Sequence, residues 1–223
     1  MKKTLLAFAL LSTIPTAVLA NQAGDILVRG GLTMVAPDTG KSSILLGGDD
    51  STMTLTVDDN TQLGLNLVYF FDSNWAIELL AATPFTHDVT IQDLSGVLGV
   101  DGAKLAEVSH LPPTLSALYY FDTGTALKPY VGVGLNYTIF FDEEFSDAAT
   151  ELGLSNLELD GSFGYSVQVG ADYHINNKWH VNASVRYIDI NSDASFDVAG
   201  DNIGSASIGV DPMVYSIMLG YKF

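Results

Sequence analysis

The residues of this chain equipped for proton transfer or metal binding are four histidines, a Ser-His and a His-Asp dipeptide, and one carboxylate run. Hydrolysis at Ser109-His110 or His87-Asp88 would need a nucleophile, a base and an orienting acid converging in space, and adjacency in sequence does not supply that geometry. His87 and His110 lack a ligand pattern around them, and His174 and His180 flank a turn, so all four read as surface residues rather than zinc ligands. Cysteine is absent, which removes thiolate metal sites, disulfides, a Cys nucleophile and an N-terminal Cys lipid anchor. Asp142-Glu143-Glu144, with Asp147, reads as a solvated face whose favoured ions would be Ca²⁺ or Mg²⁺. No catalytic residue, cofactor or metal centre is expected.

The composition bounds what positions these residues. With 223 residues, 48% hydrophobic content and 21 glycines, the chain can build one sizeable domain. Its net charge of −17 repels nucleic acid. Lys2 and Lys3, the apolar stretch 4–19 and the small residue Ala20 predict a signal peptide over 1–20, leaving 21–223 as a single domain. Beyond it no apolar run approaches the roughly 18 residues of a spanning helix.

The remainder alternates with period two, as strands do. Strands are expected at 26–35, 52–71, 75–81, 115–121, 131–141, 163–173, 181–187 and 215–223. Tight turns at 72–74, 122–124 and 176–177 alternate with long connections at 37–50, 84–104, 142–158 and 193–205. The third connection has the Ala, Glu and Leu content for a short helix within 146–154. Eight antiparallel strands with short turns at one end and long loops at the other match an outer-membrane barrel.

One face of these strands is apolar: Leu63, Leu65 and Leu67, or Tyr215, Ile217 and Leu219. The other, on the fifth and sixth strands, is Gly, Ser, Asn, Thr and Gln, too poor in charge for a solvated surface. That favours a lipid-facing apolar wall around a narrow polar lumen over a soluble ligand-binding barrel. Aromatics beside the short turns, including Trp75, Tyr119, Trp179, Tyr221 and Phe223, fit an interfacial girdle. The expected location is the bacterial outer membrane, with its lipid and lipopolysaccharide as partners; phosphates there could share divalent cations with the acidic run.

Asn60-Thr61-Gln62-Leu63-Gly64-Leu65, Glu78-Leu79-Leu80-Ala81-Ala82-Thr83-Pro84-Phe85, His110-Leu111-Pro112-Pro113-Thr114-Leu115 and Pro129-Tyr130-Val131-Gly132-Val133-Gly134-Leu135-Asn136-Tyr137-Thr138 resemble the OmpW family of small outer-membrane proteins. The resemblance implies an eight-stranded barrel with a narrow hydrophobic passage, uptake of small hydrophobic molecules, and prolines that interrupt the wall so that a ligand leaves sideways. The terminal Phe223 resembles the signal read by outer-membrane assembly machinery.

The residues bear on that passage directly. An eight-stranded barrel holds side chains or one small ligand, which excludes an open pore. Toward the long-loop end the lumen parity turns apolar, with Leu80 and Ala82 after Glu78, Phe140 after Thr138, and Ile188 and Ile190 after Arg186. The expected passage comprises these with Leu111 and Arg186, and the lateral break is Pro112-Pro113, since proline cannot donate to a ladder. A bulge near Ile188 would swap the faces. Inward Arg186 departs from relatives with a bulky apolar residue there, and is expected to pair with Glu78 or Asp172 in a polar plug. The reading is a channel for small hydrophobic molecules; the alternative is a non-transporting structural or receptor barrel with acidic interaction loops.

Overall fold

The computed structural model describes residues 20–38, 43–46, 49–50, 53–93 and 101–223. Residues 1–19 of the expected export segment 1–20 lie outside them. The strands are β1 (Ile26–Ala36), β2 (Ser43–Leu46), β3 (Asp49–Asp50), β4 (Met53–Val57), β5 (Asn60–Phe70), β6 (Trp75–Ala82), β7 (Phe85–Asp93), β8 (Lys104–Leu111), β9 (Thr114–Tyr120), β10 (Leu127–Phe145), β11 (Leu154–Leu159), β12 (Ser162–His174), β13 (Trp179–Ile188), β14 (Asn191–Val198), β15 (Asp201–Gly209) and β16 (Met213–Lys222), with one short helix, α1 (Asp147–Glu151).

Eight of them close a barrel in the order β1-β5-β6-β9-β10-β12-β13-β16 and back to β1, every ladder antiparallel. Closure leaves no open edge at membrane depth. The alternation holds along the wall: Leu63, Leu65 and Leu67 are exposed while Asn66, Val68 and Phe70 are buried. On β16, Tyr215, Ile217 and Leu219 face out and Ser216 and Met218 face in. The parity survives the strand break after Ile188, since Arg186, Ile188 and Ile190 are all buried, so the faces do not swap there.

Each short turn is tied by a side chain that accepts backbone N–H groups. Asp72 accepts from Asn74 and Trp75, and Asn176 from Lys178 and Trp179. Beside these turns Trp75 meets Tyr119, and Trp179 meets Tyr221, edge to face. Inside, two large rings each lie over a residue without a side chain. A Cβ on Gly170 would lie 2.5 Å from the Tyr130 ring, and one on Gly220 would lie 2.1 Å from the His180 ring.

At the other end the structure corrects the sequence reading. The long connections carry strands of their own, because period-two patterns such as Phe85-His87-Val89-Ile91 persist among polar residues. The expected strand over 52–71 is broken between Val57 and Asn60, and β4 pairs with β7 while β5 stays in the wall. The upper part of β10 continues past the barrel into a sheet ordered β10-β8-β7-β4; a second sheet, β11-β14-β15-β2-β3, stands nearby. Ser146 caps α1 by accepting from the Ala149 N–H, so the expected helix is present but shorter.

Candidate functional site

Four layers stack along the barrel axis. The outermost is an apolar chamber of about 180 Å³ between the two extracellular sheets and the barrel mouth. Its walls are packed from Ile44, Leu55, Val89, Val108, Ala194 and Phe196. Phe140, Ile190 and Val35 lie toward the barrel. An apolar protein cavity of about 150 Å³ stays dry and takes a benzene-sized molecule, so this chamber has room for a one-ring ligand.

Below it, Val35, Phe85, Ile188, Ile190 and Val214 close into an apolar neck. Beside the neck lies a void of only about 10 Å³, lined by Leu80, Ala82, Pro112 and Ile188 among others.

The third layer is ionic. Arg29 is wholly buried and donates to Glu78 at 3.1 Å, to Asp172 at 2.7 Å, to Tyr120 and, through Nε, to His180. Glu78, equally buried, also accepts from Asn66, Gln168 and Arg186. Asp172 accepts from Asn182 and Tyr120. Two guanidinium groups and two carboxylates thus balance in a site without water access, the condition under which buried charges are tolerated. Arg186 pairs with Glu78, one of the two partners expected for it. The innermost layer is apolar again: Leu27, Val68, Phe70, Leu118, Tyr120 and Tyr130. These two layers occupy the axis, so no straight bore runs through the barrel.

The wall is interrupted next to the neck. The β6–β9 ladder ends at Leu80↔Thr114, and pairing resumes in β7–β8 at Phe85↔His110. Residues 81–84 and 111–113 lie between. Pro113 is exposed, Pro112 is buried at the void, and the Pro113 carbonyl accepts from Tyr137 on β10. Ile139, opposite Leu111, is still an outward apolar residue, which puts the interruption at the upper edge of the apolar belt.

Of the expected passage residues, Phe140 and Ile190 line the chamber, Leu80, Ala82 and Ile188 line the void, and Arg186 sits in the ionic layer. Leu111 is half-buried and lines neither cavity. The surface reading of the histidines is corrected: all four are buried. His174 and His180 face each other in the barrel. His87 and His110 line the chamber, with their rings stacked 5.1 Å apart and their Nε2 atoms 3.1 Å apart. Burial first, and His87 beside it, pushes the His110 imidazole down to about 3. Ser109 bonds to Thr86 and Asp88 pairs with Lys104, so the dipeptides do not assemble a hydrolytic site. Among the described residues no three His, Asp or Glu side chains converge as metal ligands.

The sequence reading missed Arg29, the hub of the ionic layer. Its signal was an arginine on the parity of Leu27, Thr33 and Val35, all of which face inward.

A closed eight-stranded wall, an outward apolar belt, an aromatic girdle at the short-turn end and a filled lumen define a bacterial outer-membrane β-barrel. The chain belongs to the OmpW family, whose profile matches residues 22–223. It is 43% identical to outer membrane protein W of Vibrio cholerae over the full length of both chains. It is 41% identical to outer membrane protein W of Escherichia coli K12, covering all of this chain and 99% of that one. The crystal structure of the outer membrane protein OprG from Pseudomonas aeruginosa superimposes with a TM-score of 0.84 at 41% identity, covering 92% of this chain and 98% of that one.

Proposed function

We propose that the chamber takes up small hydrophobic molecules from outside and releases them sideways through the wall interruption into the membrane, without catalysis. The observation that carries this reading is the stacking order: an apolar chamber of about 180 Å³ lies directly above a neck beside Pro112, while a buried ion network bars the axis beneath. A molecule that has shed its water in the chamber gains nothing by crossing two salt-bridged arginines. The low-cost exit leads to lipid, past Ala82 and Pro112. Export through residues 1–20, contact with lipid and lipopolysaccharide, and engagement of Phe223 by the assembly machinery belong to the same reading; Phe223 is 73% exposed.

The test is Phe140→Arg, which introduces a charge at the chamber beside the neck. Uptake of a small hydrocarbon by cells or proteoliposomes is expected to fall to the level of protein-free membranes, with the barrel still folded by heat-modifiable gel mobility. Unchanged uptake refutes the passage. A receptor role is favoured by the exposure of Asp142, Glu144 and Asp147 at the extracellular end; it predicts loss of partner or phage binding on trimming 142–158.

A further inference from the structure

The path from chamber to membrane is interrupted, since the chamber of about 180 Å³ and the void of about 10 Å³ beside Pro112 are separate cavities. A void of that size has room for about one water molecule, so a one-ring ligand leaves only if part of the neck moves. Phe85 stands between the two spaces. It borders the void, and its ring stacks on His110 at 5.5 Å and on His87 at 6.4 Å, both of which line the chamber. Its neighbours in the neck are firmly placed. Val35 pairs with Val214 and Asn60, Val214 pairs with Val35 and Arg186, and Ile188 pairs with Ser166 while its N–H donates to the Pro212 carbonyl. Phe85 is paired on one flank, with His110. On the other, the β5–β6 ladder stops at Gly64↔Ala82 and pairing resumes in β4–β7 at Val57↔Val89, so residues 58–63 and 83–88 are left out of it.

Side chains bridge that gap. Asn60 Nδ2 donates to the Thr86 carbonyl at 2.6 Å, Gln62 Nε2 donates to Asn60 Oδ1 at 2.9 Å, and the Thr83 hydroxyl donates to Gln62 Oε1 at 3.1 Å. These bonds form a bracket across residues 83–86, with Pro84 and Phe85 inside it. We infer that Phe85 is the gate between the chamber and the wall interruption, and that Asn60 and Gln62 are positioning residues whose bracket holds it shut. Pro84, just before the ring, has no N–H to give to the wall. Moving Phe85 outward therefore breaks side-chain bonds toward β5 and the stack on His110, and no ladder toward β5. Each such bond is worth little net, so the bracket can open and re-form where a continuous ladder would not. In the closed position the ring seals the apolar chamber from the interruption; displaced, it joins the chamber to the space beside Ala82 and Pro112.

This inference rests on the uptake reading, and the experiment separates the two. Toluene uptake is measured over a concentration series in cells carrying the full chain as wild type, Asn60→Ala, Phe85→Ala or Phe85→Trp. Cells without the barrel give the baseline, and heat-modifiable gel mobility checks folding. Asn60 lines neither cavity. Asn60→Ala should therefore raise the maximal rate about fivefold, the equivalent of one net hydrogen bond, and leave the half-saturating concentration unchanged. Phe85→Ala should raise the maximal rate at least as much, and Phe85→Trp should lower it. A maximal rate in Asn60→Ala that stays at or below that of wild type overturns the gate, and wild-type uptake above the baseline then leaves the uptake reading standing. Wild-type uptake no faster than the baseline overturns the uptake reading and the gate with it. Asn60→Ala keeps every ring of the neck, so the test holds even if Phe85→Ala does not fold, and Gln62→Ala, which cuts the same bracket, repeats it.

Discussion

Removing one carboxylate from the ionic layer tests its charge arithmetic. Glu78 accepts from four side chains, two of them arginines, and is wholly buried. Glu78→Ala leaves Arg29 and Arg186 facing a single carboxylate, Asp172, in a space closed to water. Breaking a buried pair from one side costs about 3–5 kcal/mol, because the partner is left uncompensated. Arg186→Met creates the opposite imbalance, Glu78 and Asp172 sharing Arg29, but should cost less, about 1.5–3 kcal/mol, because a buried carboxylate can shed its charge by taking up a proton and an arginine cannot. Glu78 would keep Arg29, Asn66 and Gln168, and the Nε and Nη1 donors of Arg186, already without partners among the described residues, would disappear. The double variant should recover about 1–3 kcal/mol relative to the sum of the two single changes. The assay is urea unfolding in lipid vesicles, followed by the fluorescence of Trp75 and Trp179 at the short-turn girdle. If Arg186→Met proves as costly as Glu78→Ala, or the two add without coupling, Glu78 is not the centre of a balanced network.

Three further outcomes are expected. Pro112→Val with Pro113→Thr restores two ladder donors at the wall interruption; uptake should drop several-fold in proteoliposomes while gel mobility stays that of a folded barrel. Asp72, in the first short turn, is held below its ordinary value of 3.8 by the Trp75 and Asn74 N–H groups. A depressed folded value contributes stability above about 3.8 that is lost as pH falls through the folded value, so an NMR titration should place Asp72 below the ordinary value and Asp72→Ala should abolish that acid-range dependence at Trp75. Gly170→Ala forces a methyl against Tyr130 and should destabilise by about 1–3 kcal/mol in the same unfolding assay.

The wall was legible because its two faces differ in chemistry at every second residue, and because turns such as Asp72-Ser73-Asn74 announce themselves. The pairing of Arg186 with Glu78 could be anticipated from lumen parity alone, since few charges share that face. Arg29 was overlooked for a different reason: its partners sit 49, 143 and 151 positions away, and only the register brings them together. The extracellular sheets were hidden by composition. Thr86, Asp88, Thr90 and Gln92 give β7 the polarity of a loop, although the residues between them alternate as strictly as those of the wall. Reading that segment as a loop also cost the His87–His110 contact, which follows from the hairpin pairing of Phe85 with His110.

Strand β10 is a single piece of 19 residues, roughly 60 Å of extended chain, that carries Tyr130 at the foot of the lumen and Phe140 and Phe145 at the chamber. Foot and summit are therefore threaded on one backbone. An inserted or deleted residue between Tyr137 and Phe140 would turn every later side chain to the opposite face. The lower half would still pair with β9 and β12, and such a protein could assemble in the membrane while its summit pointed phenylalanines at water. Length changes along this strand are thus a class of lesion that assembly cannot detect and only cargo handling exposes, whereas the turns at 72–74 and 175–178 can vary without that penalty.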